Sequence, residues 1–157
     1  MNLSTFIIVS LLSAASLTAG DFRVGPFCEP DHPDPVGCVG KLMEDWSNRD
    51  GMLTYEIGSA ISRSFCAHPQ AVLRALARSE RDADAWLASL GSHTFWVGDH
   101  ADTAFGSEAT THLRELKICM IENARSLVDH DEVGPMADRL LQELRQTTIR
   151  YVDESDA

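Results

Sequence analysis

The chain has 157 residues, room for one domain, and its 13 basic and 24 acidic side chains give a formal net charge of −11. A surface of that sign repels DNA, RNA and anionic lipid, so those partners are excluded, whereas a basic protein is favoured. No Asp, Glu, Lys or Arg occurs in residues 1–20, so all of the charge sits on the remainder.

Residues 1–20 have the layout of a secretory signal. Phe6, Ile7, Ile8, Val9, Leu11 and Leu12 form an apolar core, and Ser13, Ala14, Ala15 and Ser16 follow it. Thr18 and Gly20 fit the two small positions before a cut, which makes Asp21 the first mature residue. A membrane-spanning helix needs about 20 apolar residues, and here serines and a threonine interrupt the run. The expectation is a periplasmic or secreted protein that inserts in no membrane once the signal is removed.

Residues 21–37 read as an irregular lead-in, because Pro26, Pro30, Pro33 and Pro35 oppose regular structure. The helical domain is expected over 38–152. Val39, Leu42, Met43 and Trp46 recur at i, i+3, i+4, i+7, the mark of one apolar helix face. A second helix is predicted from about Met52 to Ala67 on Leu53, Ile57, Ala60, Ile61 and Phe65. A third starts at Pro69 and runs to about Arg78, burying Val72, Leu73 and Leu76. A fourth covers about Asp82 to Leu90 with Ala83, Trp86, Leu87 and Leu90 on one stripe, and Gly91 is its expected stop.

Residues 92–107 break the helical rhythm and read as a long loop with one short extended piece at Thr94–Val97. A long helix follows, about Ser107 to Val128, with Leu113, Leu116, Met120 and Leu127 as core and Cys119 beside them. Gly134 and Pro135 introduce a last helix running to about Val152 on Met136, Leu140, Leu141, Leu144 and Ile149, and residues 153–157 form a tail. The fold class is therefore all-α: a single-domain antiparallel helical bundle, or a short stack of helical hairpins, with about six helices.

The cysteines are Cys28, Cys38, Cys66 and Cys119. An even number in an exported chain implies two disulfides, for which three pairings exist. The favoured pairing is Cys28 with Cys38, which closes a short loop, leaving Cys66 to join Cys119 across two helices. No CxxC and no zinc-module spacing is present, and neither a nucleotide-binding loop, a GxSxG elbow nor an HExxH motif occurs. No cofactor or metal is expected, and a non-enzymatic role ranks above an enzymatic one.

Three segments set His beside acids: residues 31–34, 99–102 and 129–132. Adjacent residues rarely aim at one atom, so each is read first as surface. His93 and His112 flank the central segment and could join it. The partner-contact candidates are Phe95, Trp96, Asp99, His100, Asp102 and Phe105, since aromatics among polar loop residues commonly anchor interfaces. The leading expectation is an exported binding or inhibitory module acting on a protein, in the manner of an immunity protein. The alternatives are a small metal-assisted hydrolase built on the His100 region, and an envelope protein without a discrete site.

Overall fold

A computed structural model describes the backbone of residues 27–51, 53–97 and 104–151. The expected signal and the tail at 153–157 lie outside the described residues, as do Asp99, His100 and Asp102. Six α-helices follow one another: α1 (Pro35–Ser47), α2 (Leu53–Ala67), α3 (Pro69–Leu76), α4 (Glu80–Ser89), α5 (Ala104–Leu127) and α6 (Gly134–Gln146). A π-helical turn, Leu90–Thr94, extends α4. Two short strands, β1 (Trp96–Val97) and β2 (Arg150–Tyr151), pair in parallel with Trp96 opposite Arg150. Among the described residues the protein is all-α apart from this ladder. None of its described helices is long and apolar enough to cross a membrane.

Helix α1 starts at Pro35, four residues before the expected Val39 and inside the expected lead-in. Asp34 caps it: the Gly37 N–H donates to Asp34 Oδ1 at 2.9 Å. Proline is tolerated in the first turn, where its missing N–H would have no helical partner. The cap also explains Gly37, because a Cβ there would lie 2.1 Å from Asp34 Oδ2. Val39, Leu42, Met43 and Trp46 are buried as their spacing predicts.

Helix α2 is the hub, packing against α1, α3, α4, α5 and the π-turn. Its inner face carries small residues, Gly58, Ala60, Ser62 and Ser64, alternating with Ile61 and Phe65. Gly58 lets Ser89 and Trp46 approach. A Cβ on it would stand 3.2 Å from Ser89 Oγ and 3.6 Å from the Trp46 ring. Burying an indole demands a partner for its N–H. Trp86 Nε1 donates to the Gly58 carbonyl at 3.3 Å, and Trp46 Nε1 donates to the Asp82 carbonyl at 2.9 Å. Leu53, expected on the buried stripe, is instead exposed in the first turn of α2.

Both disulfides are present, Cys28–Cys38 and Cys66–Cys119. The first fastens the lead-in to α1, and the Cys28 N–H donates to Ser64 Oγ on α2 at 2.9 Å. The second joins α2 to α5 with Cα atoms 6.0 Å apart. Its closed loop spans 53 positions; constraint of the unfolded chain on that scale stabilises by about 4 kcal/mol in the chain-entropy view.

Three further element ends differ from the sequence expectation. Helix α4 does not stop at Gly91; it widens, and the Phe95 N–H reaches back to the Leu90 carbonyl at 3.0 Å. A glycine ends a helix when it takes a positive φ, and no described glycine does so. Helix α5 begins at Ala104, so residues 104–107 belong to it and not to the loop. Helix α6 ends at Gln146, short of Val152. Thr147, Thr148 and Ile149 are β-branched and favour extended backbone. Lys117 Nζ on α5 takes the Thr147 carbonyl, and the chain turns into β2.

Asp82, only 3% exposed, sits in the first turn of α4 behind the Ser79 cap. Ser47 Oγ donates to its carboxylate at 2.7 Å, and Arg49 and Arg81 each approach it at 3.4 Å. Burial alone raises a carboxyl pKa; the hydrogen bonds from Ser47 and Ser79 and the arginine charges outweigh it, so the net displacement is downward. A lowered folded-state pKa contributes stability that is present above the unfolded value of about 3.9 and is lost as pH falls through the folded one. Asp82→Asn should therefore lower stability at pH 7 by about 1–3 kcal/mol, the worth of hydrogen bonds to a charged group. Urea melts from pH 7 to pH 2 should show wild type and variant converging at the acid end; a constant gap at every pH would refute this role.

Candidate surface around the π-turn

The structure divides the predicted contact residues. Phe95 is fully buried and belongs to the core, so its ring has no surface to offer a partner. It ends the π-turn facing inward, and its carbonyl accepts from the Arg150 N–H at 2.9 Å, joining the turn to β2. Trp96, the next residue, is 44% exposed. Within the strand itself the alternation holds, with Trp96 outward and Val97 buried. Phe105 lies in the first turn of α5. Asp99, His100 and Asp102 fall outside the described residues, as noted above.

His93 sits on the π-turn with its ring edge-on to Tyr55 of α2, centroids 3.9 Å apart. Its Nδ1 lies 2.5 Å from Ser92 Oγ, and Ser92 Oγ also donates to the Ala88 carbonyl at 3.3 Å. Tyr55 is 45% exposed. Sequence reading passed over Tyr55, although a signal existed. It stands off the 57, 60, 61, 65 stripe of α2, so an aromatic there points away from the core. Among the described residues, the Thr94 hydroxyl, buried in the same turn, has no hydrogen-bond partner. Two half-exposed aromatics thus stand at or next to the wide turn: Tyr55 of α2, against His93, and Trp96 in the strand that the turn feeds.

The other His–acid segments serve local structure. His32 Nδ1 accepts from the Asp34 N–H at 3.1 Å, and His130 Nδ1 accepts from the Glu132 N–H at 3.3 Å. His112 lies between Glu108 and Glu115 at 3.6 and 3.7 Å along α5, so His93 and His112 each keep partners on or beside their own element. Among the described residues, no group of three or more His, Cys, Asp or Glu side chains is placed to hold a metal ion.

A groove of about 290 Å³ lies elsewhere, between the end of α3, the start of α4 and the start of α6. Leu76, Ala83, Pro135 and Met136 line it, with Glu80, Glu132 and Arg139 at its sides. Glu132 is paired with Arg74 at 2.7 Å, and Arg139 with Asp84.

No protein-family model matches the chain, and no similar protein was found among curated sequences or solved structures.

Of the three tryptophans, Trp46 and Trp86 are fully buried, and Trp96 is the solvent-facing one. Acrylamide should quench one component of the fluorescence readily. Trp96→Phe should remove that component and leave the shielded emission. Unchanged quenching in the variant would show that Trp96 is covered in solution.

Proposed function

We propose that the chain is an exported, acidic binding or inhibitory module that docks a basic surface on a protein partner, with Trp96 and Tyr55 as its aromatic anchors. The observation that carries this reading is the exposure of two large aromatic side chains, Tyr55 against His93 of the π-turn and Trp96 in the strand that follows that turn. Large aromatics desolvate well and lose little side-chain freedom, which is why they recur as interface hot spots. A face of this kind accepts arginine and lysine through cation–π contact. The net charge of −11 steers a basic partner towards it and makes association salt-sensitive.

Two disulfides support the same reading. Such bonds persist in oxidising compartments, in keeping with a periplasmic or secreted site of action. The Cys66–Cys119 bond also anchors α2, the helix that carries Tyr55, before any partner arrives.

The test uses the mature, oxidised protein as bait in periplasmic extract and culture fluid, followed by affinity measurement with the captured partner. Trp96→Ala should weaken binding about tenfold, the effect expected for one anchor. Raising NaCl from 50 to 500 mM should slow association markedly. Affinity unchanged in the Trp96→Ala, Tyr55→Ala double variant, or indifferent to salt, would reject this surface and this class of partner.

A further inference from the structure

The α5–α6 hairpin is fastened to the rest of the molecule unequally. Helix α6 packs chiefly along α5. Helix α5 is bonded to α2 through Cys66–Cys119, and Asn123 Nδ2 reinforces that seam by donating to the Cys66 carbonyl at 3.2 Å. The C-terminal end of α6 is held as well, because the chain passes from Thr147 into β2 and pairs with β1. The N-terminal end of α6 has neither tie. It faces α3 and α4 across the groove lined by Leu76, Ala83, Pro135 and Met136. The polar links there are Arg74–Glu132 and Arg139–Asp84, and all four side chains are exposed. Exposed pairs contribute little and weaken with salt. The groove runs along the same seam.

We infer that the α5–α6 hairpin pivots on its disulfide side and opens along the seam between the start of α6 and the α3–α4 corner. The covalent bond and the β1–β2 ladder hold the pivot, and the two ion pairs act as the latch. Opening is a sub-global event, of lower free energy than unfolding of the whole domain. It exposes the apolar floor of the groove while the Met120–Ala124 stretch of α5 stays packed. This device does not depend on the binding role proposed above.

Amide hydrogen exchange by NMR on the oxidised protein tests it, comparing wild type with the Arg74→Gln, Arg139→Gln double variant. Both substitutions are on exposed side chains, so the fold is retained. Protection at Ala137, Leu140 and Leu141 should fall by up to about tenfold, the combined effect of two exposed pairs, while Met120 and Ala124 change by less than about twofold. An equal fall in both groups would mean that the hairpin opens only with the whole domain. No fall at α6 would mean that the pairs do not latch the seam. Either result overturns the inference.

Discussion

The bond between Cys66 and Cys119 is the constraint on which the architecture depends. It joins the hub helix α2, which touches most of the N-terminal helices, to α5, which carries α6 and β2. Without it the α5–α6 hairpin would be held by side-chain packing, a four-residue ladder and surface ion pairs. With it, the unfolded chain is denied many of its conformations, a gain that grows with the length of the closed loop. The second bridge works locally. It fixes the proline-rich lead-in to the first turn of α1, where Cys28 is fully buried against Ser64.

Around that hub the apolar interior is built with the ring nitrogens of its two buried tryptophans satisfied. The small face of α2 admits Trp46 from α1 and Trp86 from α4. Their ring nitrogens find backbone carbonyls, since an indole N–H buried without a partner would offset much of what the ring contributes. Arg49 links the two features: its guanidinium lies 4.0 Å over the Trp46 ring, and it also approaches Asp82. A buried carboxylate is tolerated because serine hydroxyls and arginine charges replace the lost water. The same node therefore joins the end of α1 to the start of α4 and makes part of the stability dependent on acid titration.

Helical stripes and cysteine pairing were legible in the sequence because both are decided locally or by simple chain statistics. Val39, Leu42, Met43 and Trp46 repeat at the helical period, and a ten-residue separation made Cys28–Cys38 the natural short closure. What was not legible depended on contacts from elsewhere in the fold. Four prolines suggested no helix before Val39, yet the Asp34 carboxylate needs only the absence of a Cβ at Gly37 to cap one at Pro35. Gly91 looked like a stop, but its backbone continues into a wider turn. Helix α6 ends early because Lys117, thirty positions back in the chain, captures the Thr147 carbonyl. At the candidate surface, sequence could place Phe95 and Trp96 in one segment but could not separate an inward from an outward ring. It missed Tyr55, which becomes a surface feature only when the π-turn lays His93 against it.

Disulfide mapping by mass spectrometry of the natively purified protein tests this account most directly. Under non-reducing trypsin digestion, the peptide Ser64–Arg74 should appear linked to Ile118–Arg125, and Val24–Lys41 should carry an internal bond. Free thiols at all four cysteines would contradict the inferred compartment, and a link from the Val24–Lys41 peptide to either of the other two would contradict the helix arrangement.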